Sequence, residues 1–433
     1  MCGIVAYSGI KNGAEIVFKG LKVLEYRGYD SWGIAALDVL NSNININKKI
    51  GKIGSSVFKD LKIPKCMLAI GHTRWSTHGA VTLKNSHPHS STNGRFSIVQ
   101  NGIVENFQEL KRELIKLDYN FKTETDTEVI VYSIEEDLKQ TNNIKDSFRN
   151  VFSKLHGRNA VVLLDSKTGN IYAARNGSPL IVGIGEKEIF LASDASPIIE
   201  YTKKVIFLED NDMIILNGNY ELINVNTGLI VNREIVEISW DRQQAQKGKY
   251  PHFMIKEIMQ QRSTISDAIT QSKEKVLKIA NVINNAYGTY MVGCGTAGKV
   301  CLAATYFFSK IAHKHINFSL GSEFPSYHHF LKDNSLLIAI SQSGETADTL
   351  EAIEVAKKEG CKIVSLVNVM NSSIIRQSDY NMLNNVGPEK SVCSTKATTA
   401  QMAQCLLLAY TCADKYKEGM QLLRKTSSEL ELM

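Results

Sequence analysis

Met1-Cys2-Gly3-Ile4-Val5 opens the chain, and its second residue decides how the first half is read. Once Met1 is removed, Cys2 carries a nucleophilic thiol and a free α-amine on one residue. The amine can then take the proton of its own side chain, with no separate base. An unperturbed α-amine has a pKa of about 8, so a modest shift leaves much of it neutral near pH 7. Cys2 is small enough for an aminopeptidase to remove Met1. A cysteine at position 2 also arises by chance, so the assignment needs support elsewhere in the sequence.

Downstream of Cys2 the first half is rich in short β-type runs, at 3–8, 33–37, 66–71, 96–101, 160–165, 171–175, 180–184, 189–192 and 213–216. Helical patterns at 13–25, 106–117, 126–139 and 144–154 interrupt them. The pattern predicts an α+β domain with much antiparallel pairing over 2–235. The polar stretch 41–49 reads as a hairpin tip or loop. Residues 236–275 read as a linker and connecting helix, with a hinge at 241–246. From 276 to 433 the alternation becomes strand–helix–strand: 289–293 leads to 298–313, 335–340 to 347–359, 362–368 to 372–378, and 380–385 to 395–415. Four such units predict an α/β doubly wound, mostly parallel sheet.

Composition narrows the function classes. The chain has 433 residues, 43% of them hydrophobic and 22% charged, which is ordinary for a soluble two- or three-domain protein. A net charge of +6, spread along the sequence, argues against a nucleic-acid partner. The eight cysteines form no CxxC pair, so reduced thiols in a cytoplasmic protein are expected, with no disulfide frame and no zinc site. No apolar run is long enough for a membrane span, and no signal peptide is expected from the N-terminal residues.

Four segments accompany Cys2: Leu24-Glu-Tyr-Arg27-Gly-Tyr-Asp30-Ser31, Gly71-His-Thr-Arg74-Trp75-Ser-Thr77-His78-Gly79, Gln100-Asn101-Gly102 and Glu124-Thr-Asp126-Thr-Glu128. Amide hydrolysis by a thiol needs a nucleophile, a base, oxyanion donors and grips for the substrate. The Asn101 amide and the Gly102 N–H suit an oxyanion hole. Arg74 can hold a carboxylate bidentately and Asp126 an ammonium, which together read an α-amino acid. Each has a plainer alternative. Asn-Gly after a β run is a common hairpin turn, and lone charges are usually solvated. His72, His78, His87 and His89 could ligate a metal, but neutral rings satisfying loop hydrogen bonds are the expectation.

In the second half, Gly293-Cys-Gly295-Thr296-Ala297-Gly298 and Ser341-Gln342-Ser343-Gly344-Glu345-Thr346 each follow a strand and open a helix. Hydroxyls and N–H groups at a helix N-terminus suit a phosphate ester; ordinary helix capping is the alternative. Two such loops at parallel crossovers favour a phosphosugar over a nucleotide.

The motifs CGIV, EYRGYDS, HTRWSTHG, NGIVEN and TDTE resemble the class II (N-terminal nucleophile, Ntn) glutamine amidotransferase domain. SQSGETADT and VCSTK resemble a sugar isomerase (SIS) domain. Both halves in this order resemble the glutamine–fructose-6-phosphate aminotransferase family. The resemblance implies Cys2 as nucleophile and base, with Asn101 and Gly102 as the oxyanion hole. It implies that Arg74, Thr77, His78, Gly102 and Asp126 bind glutamine. It also places Trp75 in a mobile gating loop and Arg27 beside the nucleophile. In the SIS half it implies that Ser341, Gln342, Ser343 and Thr346 hold the phosphate of fructose 6-phosphate, and that Thr296, Val392 and Ser394 line the sugar. No metal or organic cofactor is implied, and the family pairs as a homodimer.

Three substitutions depart from the family pattern. Trp32 replaces a small Ala close to the active-site shell, where an added indole is expected to fit only by moving the loop. Gln100 replaces a His common in bacterial members. Ala297 replaces a phosphate-binding Ser, a lost contact worth about 1.5–3 kcal/mol. A second SIS domain, which in the family carries the Schiff-base lysine, is expected to be absent, and Lys396 is not a substitute. Full synthesis of glucosamine 6-phosphate, an uncoupled glutaminase, and an inactive fragment or partner of a separate second SIS subunit are therefore the competing expectations. Without that domain, the 395–413 helix is expected to expose an apolar face.

Overall fold

The computed structural model describes residues 2–38, 42–238 and 247–432. The chain divides into two compact units, 1–242 and 243–433. The proposed hinge at 241–246 lies outside the described residues.

The first unit contains β1 (Gly3–Gly9), α1 (Gly13–Val23), β2 (Ser31–Asp38), β3 (Asn43–Ile50), β4 (Leu68–Arg74), β5 (His89–Ser90), β6 (Phe96–Gly102), α2 (Phe107–Lys116), α3 (Thr127–Thr141), α4 (Ile144–Ser153), β7 (Asn159–Asp165) and β8 (Asn170–Asn176). It continues with β9 (Ile181–Gly185), β10 (Glu188–Ala192), β11 (Lys204–Phe207), β12 (Asp212–Leu216), β13 (Tyr220–Asn224) and β14 (Val236–Glu237). The strands form an eight-stranded sheet, β14-β11-β9-β10-β1-β4-β2-β3, and a six-stranded sheet, β13-β12-β8-β7-β6-β5. Neighbouring strands run antiparallel throughout both.

Alternation along the strands builds three apolar layers. Ile4, Ala6, Ala35, Ile70, Val99 and Val162 meet between the sheets. The opposite face of the larger sheet carries Val5, Trp32, Ile34 and Ala36 against Val17, Phe18 and Leu21 of α1. The outer face of the smaller sheet packs against Val129, Ile130 and Phe148 of α3 and α4. The loop expected over 41–49 is corrected: from Asn43 it forms β3, the edge strand beside β2. Its Asn and Lys side chains suit an edge, where polar residues discourage further pairing.

The second unit contains α5 (Phe253–Ile269), α6 (Lys273–Asn285), β15 (Thr289–Gly293), α7 (Gly295–Ala312), β16 (Asn317–Leu320), β17 (Leu336–Ser341), α8 (Ala347–Lys358), β18 (Lys362–Val367), α9 (Ser373–Arg376), β19 (Tyr380–Leu383), α10 (Lys396–Cys412) and α11 (Tyr416–Leu432). Its five strands are all parallel, in the order β16-β15-β17-β18-β19. Ile338 and Ile340 face one layer with Val300 of α7, and Leu337 and Ala339 face the other with Leu350 of α8. Burial on both faces explains the unbroken apolar run of β17. The helix expected to expose an apolar face does not do so. α10 is largely buried, with Ala403, Leu407 and Leu408 in the same core layer as Ile265 of α5, Ile279 of α6 and Leu423 of α11. Part of the expected connector also folds here, since Glu257, Ile265 and Ala268 of α5 are buried within this unit.

Candidate functional site

Cys2 immediately precedes β1, and β1 lies beside β4 with Gly3 opposite Thr73 and Ile4 opposite His72. This register brings Cys2 to the C-terminal end of β4, where Arg74 and Trp75 leave the sheet. The Trp75 N–H points at Cys2 Sγ across 3.3 Å, and the thiol lies 3.5 Å from the Trp75 carbonyl. Burial raises the thiol pKa, while the Trp75 N–H and the nearby Arg27 and Arg74 pull it down. Arg27 Nε donates to the Cys2 carbonyl at 2.9 Å, fixing the backbone that carries the thiol.

The C-terminal end of β6 supplies the opposite wall. Asn101 Nδ2 donates to the Cys2 carbonyl at 3.2 Å and to Ser193 Oγ at 2.8 Å. Gly102 follows at φ +120°, outside the range open to other residues. The resulting cleft, about 270 Å³ with its open mouth, is lined by Cys2, Arg74, Trp75, Thr77, His78, Gly102 and Asp126, among others. The residues that the sequence reading gave to the glutaminase site therefore meet around one opening, with Arg27 and Asn101 against the Cys2 backbone.

Arg74 and Trp32 stand differently from expectation. The Arg74 guanidinium donates to the carbonyls of Ala80 at 3.2 Å, Gly79 at 3.1 Å and His78. It therefore shapes the 75–80 loop in addition to any substrate contact. Trp32 does not enter the cleft. Its indole belongs to the layer under α1, 5.8 Å from the Phe18 ring. Asp126 accepts the Val104 N–H at 2.7 Å and Gln100 Nε2 at 3.4 Å through Oδ2, and Oδ1 has no hydrogen-bond partner among the described residues.

Sequence reasoning missed how much lies beneath these residues. Gln100, noted only as a departure, bonds Asn159 Oδ1 at 2.8 Å as well as Asp126. His72 and His87 stack at 4.1 Å, and His87 and His89 meet at 4.7 Å. All three are buried and pushed toward the neutral form by that burial. They bond Gln100 and Asn101 of β6, Thr127 of α3 and Thr125 in the loop before it, so they tie these elements together and do not serve loops alone. Among the described residues no group of three or more His, Cys, Asp or Glu side chains is arranged to hold a metal.

In the second unit, β15 and β17 are neighbours, and the helices that follow them lie on opposite faces. The crevice at such a switch point is where doubly wound sheets bind ligands. The loops 293–298 and 341–346 flank it. Neither caps its own helix: Cys294 and Thr346, at the caps of α7 and α8, make no side-chain capping bond. Thr346 Oγ1 instead meets Ser341 Oγ at 2.8 Å, and Ser341 Oγ accepts the Gly344 N–H at 3.0 Å. Gly344 turns at φ +67°. The uncapped helix ends favour the anion reading over the capping alternative.

The segment carrying Val392 and Ser394 runs back past β18, where Asn368 Nδ2 donates to the Gly387 carbonyl at 2.7 Å. Ser394 Oγ donates to Glu389 at 2.8 Å, and Val392 is 71% exposed. No hydrogen bond joins Thr296, Val392 or Ser394 to the 341–346 loop among the described residues. Glu257 of α5 underpins this segment, accepting the Lys390 N–H at 2.6 Å and the Ser391 N–H at 3.1 Å. Lys396 is 1% exposed, its pKa pushed down to about 8 by burial, and its Nζ donates to Gln260 at 2.9 Å.

The glutamine amidotransferase domain family matches residues 72–200, and the SIS domain family matches 283–410. A glutamine–fructose-6-phosphate aminotransferase (isomerizing) of Thermococcus kodakarensis is 41% identical over 417 residues, covering 94% of this chain and 68% of that one. A protein of the same name from Pyrococcus horikoshii is 42% identical over 414 residues, covering 94% and 69%. Among solved structures, glutamine phosphoribosylpyrophosphate amidotransferase of B. subtilis aligns with a TM-score of 0.49 at 16% identity, covering 93% of this chain and 92% of that one.

Proposed function

The chain belongs to the glutamine–fructose-6-phosphate aminotransferase family, and on that premise we propose that it hydrolyses glutamine at Cys2 and commits the ammonia to fructose 6-phosphate, yielding glucosamine 6-phosphate. The observation that carries the reading is the meeting of the Cys2 thiol and the Trp75 N–H at one cleft whose rim holds Arg74, Gly102 and Asp126, with the Asn101 amide on the Cys2 carbonyl. With Met1 removed, the α-amine of Cys2 takes the thiol proton as sulfur attacks the carboxamide carbon. The oxyanion forms against the Gly102 N–H and against the Asn101 Nδ2 hydrogen that faces the Cys2 carbonyl in the free site; that carbonyl keeps the Arg27 Nε donor, and the other Nδ2 hydrogen stays on Ser193 Oγ. The proton passes to the departing nitrogen, ammonia leaves, and water hydrolyses the thioester to glutamate. Asp126 Oδ1 takes the substrate ammonium. Arg74 takes its carboxylate through the N–H groups not spent on the 78–80 carbonyls. Thr77 and His78 close the rim, and Trp75 moves with the gating loop.

In the 276–433 domain, Ser341, Gln342, Ser343 and Thr346 hold the sugar phosphate over the uncapped end of α8, and Thr296, Val392 and Ser394 line the sugar. Lys396 is given no role in ring opening, because its ammonium is turned to Gln260. We assign the protein to the cytoplasm as a homodimer. All eight cysteines are free, which suits a reducing compartment, and no described helix is long and apolar enough to cross a membrane.

The test is incubation with glutamine and fructose 6-phosphate of protein whose mass shows Met1 removed. Glutamate and glucosamine 6-phosphate are quantified separately. Both products, lost together in Cys2→Ala, are expected. Glutamate alone would reduce the function to an uncoupled glutaminase, and neither product would overturn it.

Glu257 gives a second check. Glu257→Ala leaves the buried Lys390 N–H and the half-buried Ser391 N–H without their acceptor, a loss of about 1–3 kcal/mol for the buried group. Titration calorimetry with fructose 6-phosphate is expected to show affinity reduced about tenfold or more. Unchanged affinity would mean that the 389–394 segment does not contact the sugar.

A further inference from the structure

We propose that His72 and Ser193 are positioning residues that together fix the Asn101 amide in the orientation the oxyanion needs. The inference rests on the reading of Cys2 as nucleophile and Asn101 as oxyanion donor. Ser193 lies outside every motif, and His72 opens the HTRWSTHG motif without a catalytic role being read from it.

The carbonyl oxygens of Gln100 and Cys2, one near each end of the Asn101 amide, can only accept. His72 Nε2 lies 2.9 Å from the Gln100 carbonyl, which has no proton, so Nε2 must carry one. The same N–H faces Asn101 Oδ1 at 3.1 Å. At the other end of the amide, Asn101 Nδ2 lies 3.2 Å from the Cys2 carbonyl, again an acceptor only. Rotating the amide by half a turn would set Oδ1 against the Cys2 carbonyl and its NH₂ against the His72 N–H. Two attractive contacts would become two repulsive ones. The orientation is thus dictated by chemistry at both ends.

The imidazole is itself held in the required tautomer. His72 Nδ1 is buried with no hydrogen-bond partner among the described residues, so a second ring proton would have no acceptor. Burial pushes the ring pKa down to about 3, which keeps it neutral. The ring plane is set by the stack on His87, whose nitrogens meet the Gln100 N–H at 3.3 Å and Thr127 Oγ1 at 3.1 Å. Ser193 braces the amide from beyond. Its Oγ accepts from Asn101 Nδ2 at 2.8 Å and from the Ile4 N–H at 2.7 Å, which ties the amide to the strand that follows Cys2.

A merely structural role would disturb everything in the cleft. A positioning role is specific to the tetrahedral state, where the amide meets developing charge. His72→Phe keeps a ring to stack on His87 but removes the donor. His72→Gln restores an N–H at similar reach. Each is assayed, with Met1 removed, for glutamine kcat and KM, for inhibition by glutamate γ-semialdehyde, and for Cys2 alkylation by iodoacetamide. The aldehyde carbon bonds to sulfur and its oxygen occupies the oxyanion position, so its affinity reports the hole directly.

We expect His72→Phe to lower kcat about 10²-fold, as loss of one oxyanion donor does, and to weaken the aldehyde by a similar factor. KM should stay within about twofold and the alkylation rate should not change, while His72→Gln recovers about tenfold or more. Should His72→Phe fail to fold, Ser193→Ala is expected to give the same selective loss of aldehyde affinity. Unchanged kcat, no advantage of Gln over Phe, or parallel loss of alkylation would overturn the proposal. Glutamine hydrolysis undiminished by Cys2→Ala would overturn the reading beneath it.

Discussion

Gly102→Ala is expected to lower glutamine kcat by about 10²–10³-fold or more, the range for loss of an oxyanion donor, with the sheets left folded. A Cβ on residue 102 would lie 2.0 Å from the Arg158 carbonyl oxygen, and φ is +120°. No rotamer relieves that contact, since both partners are backbone. Arg158 cannot simply retreat: its carbonyl accepts the Ser178 hydroxyl at 3.0 Å, and Gly102 pairs with Asn159 in the adjacent strand. The 101–102 peptide must therefore turn, and its N–H leaves the oxyanion position. Strain of this kind is worth about 1–3 kcal/mol, a fraction of typical domain stability. A rate collapse with a small fall in melting temperature is the expected signature. Full activity in Gly102→Ala would show that the Gly102 N–H does not meet the oxyanion.

How much of this was legible beforehand depends on the range of the interaction. The strands around Cys2, Ile70, Val99 and Val162 announce themselves as short apolar runs bounded by turns. The parallel sheet does so through its strand–helix rhythm. β3 was hidden because an edge strand built from Asn, Ile and Lys looks locally like a loop. The site's rim was legible because Cys2, Arg74, Asn101, Gly102 and Asp126 sit in distinctive motifs. Its supports were not. Ser193 reaches Asn101 across 92 positions and Ile4 across 189. Glu257 reaches Lys390 across 133. Only the packed fold creates these pairings. His72 carried a second signal beside its place in the HTRWSTHG motif: it alternates with Ile70 on β4, so it shares that residue's face between the sheets.

The same alternation reverses the expectation for Trp32 and gives the largest stability effect. On β2, Trp32, Ile34 and Ala36 point to the layer under α1, while Ala35 and Leu37 point between the sheets. On β1, Ile4 and Ala6 point between the sheets, and Cys2 has their parity. The indole and the nucleophile thus belong to opposite faces of one sheet. Position 33 is the one that looks toward the site, where an added Cβ would meet the His87 carbonyl at 2.2 Å. Trp32 is 1% exposed, and Phe18 stands edge-on to its ring at 5.8 Å. Trp32→Ala should therefore destabilise the first unit by about 3–5 kcal/mol through the cavity it leaves. The indole N–H has no partner among the described residues. Losing that buried donor offsets part of the cost and places the expected value near the lower bound. Trp32→Phe, which drops the N–H but keeps a ring against Phe18, should be much milder. Urea titration measures these differences, and glutamine kcat below the transition should stay within about twofold of the parent. A kcat that rises in Trp32→Ala would mean that the indole does crowd the nucleophile after all.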